Sequence, residues 1–191
     1  MNVWRLVAPL LLGGALVVAA GAASQQQALA QSLTSTGPTA PLPLPVRLVI
    51  PAIHVDAAVE QVGNASDGAM DVPVEWADVG WYGLGFRPGD LGSAVIDGHL
   101  DSTTAPAVFW DLGRLQVGDQ LQVWNDDGSL LSFAVVSKGL YAFDNAPMLQ
   151  IFGPADVPGL NLVTCNGTFD WASRNYDKRL VVYTQEVVAA P

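Results

Sequence analysis

The chain has 191 residues, 18 acidic against 8 basic side chains, a formal net charge of −10, two histidines and one cysteine. An excess of acid this large argues against nucleic acid and anionic lipid headgroups as partners. One cysteine excludes a disulfide framework, and two histidines with one cysteine give no zinc spacing, no calcium-loop pattern accompanies them, and no metal or cofactor is called for.

The chain opens with a targeting segment. Arg5 is the only early charge, and Leu6 to Ala23 is apolar apart from glycines and Pro9. That length suits a bilayer span, and it exceeds the usual apolar core of a signal peptide. Residues 1–30 are therefore expected to form an N-terminal membrane helix that stays uncleaved. Ala28-Leu29-Ala30 before Gln31 has the small-residue pattern of a cleavage site and marks the alternative. Arg5 favours a cytoplasmic N-terminus, which places the rest of the chain outside the cell on a single-pass anchor. Residues 31–45, with Pro38, Pro41, Pro43 and Pro45, read as a Ser/Thr/Pro-rich linker outside any packed core. Residues 46–191 then form one domain.

Within that domain, short β-branched or aromatic runs alternate with Gly, Pro, Asp and Asn. The strands expected are Val46–Ile50, Val55–Val59, Ser93–Asp97, Gln120–Trp124, Leu130–Ser137, Leu160–Cys165 and Leu180–Thr184. Asp126-Asp127-Gly128 joins two of them as a hairpin. Short helices are expected over Ala107–Leu112 and Asp144–Ile151. This pattern is mostly β and predicts a closed or nearly closed barrel.

Three residue types in this domain combine into a chemistry. Cys165 closes the apolar run Leu162-Val163-Thr164-Cys165 and precedes Asn166-Gly167, a turn signal that puts the thiol at the mouth of a sheet. Gly98-His99 closes another apolar run and opens into Asp101-Ser102, where a strand breaks into a loop. His54, mid-strand in Ile53-His54-Val55-Asp56, reads as an ordinary edge-strand histidine facing solvent. A free thiol is mostly protonated at neutral pH, so a thiol nucleophile needs an imidazole to take its proton and return it to a leaving amine. An arginine cannot act as base, but it can stabilise the oxyanion formed on attack. Arg174 and Arg179 both follow Cys165. The residues thus support an extracytoplasmic thiol acyl-transfer enzyme on a β scaffold.

Five segments, in order, resemble the sortase family of cysteine transpeptidases, and most closely its class F. They are Ile50 to Ala57; Val79-Gly80-Trp81-Tyr82 with Pro88 to Ser102; Pro106-Ala107-Val108-Phe109 with Leu115 to Asp119; Leu162-Val163-Thr164-Cys165; and Arg179-Leu180-Val181-Val182-Tyr183. The resemblance spans nearly all of residues 46–186 and implies a barrel of about eight strands. It implies Cys165 as nucleophile, His99 as general acid/base and Arg179 as oxyanion stabiliser, with Arg174 the alternative arginine and Asp101 and Thr164 as supports. Asp101 is placed either to hydrogen-bond near His99 or to cap its own loop. Lys178-Arg179 departs from the Asp-Asn pair of many class F sequences, and Asn166 from the glycine common after the cysteine. The resemblance further implies partners: surface proteins with a C-terminal LPxTG-type signal, an amine acceptor on a cell-wall precursor or a protein lysine, and the cytoplasmic membrane. Two other readings predict different behaviour. A secreted thiol peptidase would resolve the thioester with water only, and a tethered non-catalytic β module would carry an inert Cys165.

Overall fold

The computed structural model describes residues 42–187. The membrane helix expected at residues 1–30 and all of the 31–45 linker up to residue 41 lie outside the described residues. Among the described residues no helix is long and apolar enough to cross a membrane.

Eight strands close into a barrel: β1 (Pro45–Ile50), β2 (Val55–Val62), β3 (Val79–Tyr82), β4 (Ser93–Gly98), β5 (Gln120–Asn125), β6 (Leu130–Ala142), β7 (Gly159–Asp170) and β8 (Asn175–Glu186). Their order around the barrel is β1-β2-β3-β4-β7-β8-β6-β5, and β5 pairs back onto β1. Closure satisfies every edge, so no strand is left as a template for another chain. Alternate residues fill the interior, among them Leu48, Ile96, Leu121, Phe133, Leu160 and Leu162, all fully buried. The outer face of β4, β7 and β8 carries a second cluster, Val95, Val181 and Tyr183, covered by Ile151 of helix α1 (Met148–Phe152). Asn161 pins that helix, its side-chain N–H donating to the Ile151 carbonyl at 2.7 Å.

Several expectations needed correction. The end of the linker belongs to the barrel. Pro45 is buried at the start of β1, Leu44 packs on the core, and the Leu44 amide donates to the Asp126 carboxylate at 3.0 Å. Proline is tolerated there because the first residue of a strand can forgo an amide donor. The strand β3 was missing from the expected set: at four residues, with Gly80 inside it, it shows no period-two signal. His54 is not mid-strand. It ends a 3-10 turn at Pro51–Ile53 in the left-handed conformation, φ 56°, and points into solvent. Residues 107–112 are turns with a 3-10 segment only at Leu112–Arg114, and the second expected helix is shortened to α1. Asn166-Gly167 does not end β7. Gly167 takes φ +89° within a register shift between Asn166 and Phe169, so the strand bulges and runs on to Asp170.

Candidate active site

Strand register brings the three sequence-nominated groups together. Parallel strands β4 and β7 pair Ser93 with Gly159 and Asp97 with Val163, a constant offset of 66 positions. The buried Thr164 hydroxyl repeats that offset across the same seam, donating to the Gly98 carbonyl at 2.7 Å. Carried two residues beyond the last pair, it sets His99 level with Cys165. On the other side, β7 and β8 pair Cys165 directly with Arg179. Directly opposed residues share a face of the sheet. His99, Cys165 and Arg179 therefore form one row across three neighbouring strands, on the outer face of the barrel.

Cys165 and His99 line one cavity of about 520 Å³, with Trp76, Phe169, Arg174 and Tyr176 among its walls. A second cavity, about 440 Å³, shares only Trp76 with it and contains neither Cys165 nor His99, although His54 lines it. The Cys165 thiol is half-buried. Desolvation pushes its pKa up, and the charge of Arg179 works in the opposite direction. The resting thiol is therefore neutral at pH 7 and needs a base to become a nucleophile.

His99 is held from the β2–β3 connection. Its Nε2 lies 2.9 Å from the Pro73 carbonyl. A carbonyl only accepts, so Nε2 carries hydrogen and Nδ1 is the nitrogen that can take a proton. The Trp76 ring packs on the imidazole with centroids 4.3 Å apart. Glu60 holds this strap against the barrel, its carboxylate accepting from the Val74 amide at 3.1 Å and the Glu75 amide at 3.3 Å. Gly80 leaves the space the strap uses, because a Cβ there would meet the Pro73 ring at 3.2 Å.

The arginines divide. Arg179 turns its guanidinium toward the β7–β8 hairpin, donating to the carbonyls of Tyr176 and Lys178 at 3.0 and 2.9 Å and to Asn175 Oδ1 at 2.8 Å. It lies 6.0 Å from the Phe143 ring centroid and is not among the cavity walls. Arg174 does line the cavity, from the exposed hairpin tip, at φ +54°. Asp101 is engaged by neither His99 nor its own loop. Its carboxylate accepts from the Tyr176 hydroxyl at 2.7 Å, and burial, first, with that carboxylate second, pushes the phenol up to about 12.

Sequence reasoning passed over Pro73, Trp76, Asn175 and Tyr176. Pro73 and Trp76 come from a distant loop, Asn175 and Tyr176 open β8, and none of them carries a local signal. It also passed over Asp97, whose signal was present: a lone carboxylate in an apolar strand, two residues before His99 and so on the same face. Desolvation pushes Asp97 up to about 7, against the opposing charge of Arg179.

A Sortase domain family model matches residues 48–187. Among solved structures, sortase C-1 from Actinomyces oris is similar at TM-score 0.60 and 21% identity, covering 86% of this chain and 98% of that one. Sortase A from Corynebacterium diphtheriae matches at TM-score 0.60 and 19% identity, covering 78% of this chain. This chain spans 63% of the length of that protein. Sortase C1 from Streptococcus agalactiae, in complex with MTSET, matches at TM-score 0.60 and 20% identity, covering 76% of this chain and 68% of that one. At these identities the likeness establishes the fold. No curated protein matches the chain.

Proposed function

As the chain belongs to the sortase family of cysteine transpeptidases, we propose that Cys165, His99 and Arg179 cleave an LPxTG-type sorting signal and transfer its acyl part to an amine. The observation that carries this assignment is the shared row of the three residues, set by the β4–β7 offset and the Cys165–Arg179 pairing. Cys165 Sγ attacks the scissile carbonyl carbon while its proton passes to His99 Nδ1, the nitrogen left open by the Pro73 bond. Arg179 rotates from the hairpin carbonyls toward the oxyanion on the tetrahedral carbon. Collapse breaks the C–N bond, and the leaving amine takes the proton from Nδ1. An acceptor amine then attacks the thioester carbonyl and gives one proton to Nδ1; the C–S bond breaks, and the departing Sγ takes that proton back to restore the thiol.

The resemblance to class F sequences over nearly all of residues 46–186 supports a class F assignment. The apolar segment after Arg5 supports a single-pass anchor in the cell membrane, with the barrel on the extracellular side and surface proteins as donors. Incubating the protein with a labelled LPxTG peptide, with and without an added amine, tests the reading. Transfer product that appears only with the amine, and disappears in Cys165→Ala, is the expected result. Hydrolysis alone at every amine concentration would assign a thiol peptidase instead.

A further inference from the structure

Asp97 occupies a position on the outer face that the reaction does not use. In register it lies opposite Gly80 on β3 and Val163 on β7, and β7 in turn pairs Val163 with Val181. That row is one step along the sheet from the His99–Cys165–Arg179 row, about 7 Å at two residues of strand. On its far side the sheet is roofed by α1 over Val95 and Tyr183. The row of Asp97 and Val163 is thus a half-buried floor between a helix and the thiol. The Asp97 carboxylate has no side-chain or backbone donor among the described residues, although desolvation penalises it strongly. The cation in electrostatic range, Arg179, spends its donors on two carbonyls and Asn175. A partly buried carboxylate beside a reactive centre, with no donor supplied by its own chain, is a receptor for a donor that arrives with a ligand.

Building on the transpeptidase reading, we propose that Asp97 is a specificity-determining residue that selects acyl-donor peptides carrying a cationic N–H donor side chain within two residues of the scissile carbonyl. The spacing sets that limit, because one row of the sheet spans about two residues of an extended peptide. Val163, half-buried beside Asp97, suits the aliphatic stem of such a side chain, and the carboxylate meets its head.

The test measures binding without requiring turnover. Cys165→Ala protein, with and without Asp97→Ala or the near-isosteric Asp97→Asn, is titrated with fluorescent LPxTG-type peptides. Each position before the scissile bond is in turn Lys, norleucine or Gln. The expected result is one position at which Lys binds at least tenfold tighter than norleucine, a preference lost in both Asp97 variants. The same ranking with and without the carboxylate, or no ranking at all, overturns the proposal. So does an effect of Asp97→Asn confined to the KM of an added lysine amide acceptor in otherwise wild-type enzyme, which would give the carboxylate to the acceptor. Thioester formation on wild-type protein is scored separately. If discrimination is seen but no thioester forms, the reaction assignment fails and the Asp97 assignment stands.

Discussion

Thr164 and Asp97 stand on either side of the same seam and act in opposite senses. The buried Thr164 hydroxyl satisfies the Gly98 carbonyl and so fixes where β4 delivers His99 beside Cys165. Thr164→Val keeps the shape and strands that carbonyl, at a cost of about 1–3 kcal/mol. The expected outcome is a lower urea midpoint together with a kcat reduced by roughly tenfold or more, since a misplaced base costs rate at the chemical step. An unchanged kcat would mean that the seam does not position His99. Asp97 instead stores a penalty. Its folded pKa, about 7, lies above its ordinary value of 3.8. The folded state therefore holds a proton that the unfolded chain releases, and its contribution is full below about pH 4 and lost as pH rises to 7. Asp97→Asn should leave stability unchanged at pH 4 and raise it by about 1–3 kcal/mol at pH 8. Thermal melts of both proteins across that range check the sign; parallel pH profiles would contradict it.

At the scale of elements, the strap from Val72 to Trp76 holds His99, the proposed base. It reaches His99 through the Pro73 carbonyl and the Trp76 ring, and Glu60 fastens it to β2. Glu60→Ala frees two amides without opening the core. We expect kcat to fall about tenfold, with a melting temperature within a few degrees of wild type, because partly exposed hydrogen bonds add little net stability. A kcat equal to wild type would show that the strap does not act on His99. This strap is also where the sequence was least legible. The runs ending at Gly98 and Cys165 declared themselves by apolar residues followed by Gly, Asp or Asn; β4 formed where expected, and β7 began there but ran on to Asp170. The segment that holds His99 has no period, because it pairs with no strand and owes its place to a carboxylate on β2. Asn166-Gly167 misled for a related reason: the same left-handed glycine serves a hairpin and a bulge, and only pairing with β8 decides between them. Pairing also engaged the Asp101 carboxylate elsewhere, since Tyr176 arrives from β8 with a hydroxyl.

For the whole molecule, short punctuated strands and the near absence of helical periodicity made a barrel legible, whereas the strand order left no signal in the sequence. Closure has a functional consequence. It places β4, β7 and β8 side by side although they are far apart in sequence, and so it assembles one row of imidazole, thiol and guanidinium on a rigid sheet. Arg179 and Arg174 make that claim discriminating, because the row contains the first and the cavity wall contains the second. Arg179→Ala should lower kcat/KM by about 10²–10³, the usual loss for one oxyanion donor, and Arg174→Ala should be milder; the reverse order would move the role to the hairpin. The most direct measurement is the mass of the protein after exposure to an LPxTG-type peptide and rapid acid quenching. The expected result is an adduct equal to the acyl part, mapped to Cys165, absent from Cys165→Ala and strongly reduced in His99→Ala. Cleavage of the peptide with no adduct on Cys165, or undiminished cleavage by Cys165→Ala, would contradict it.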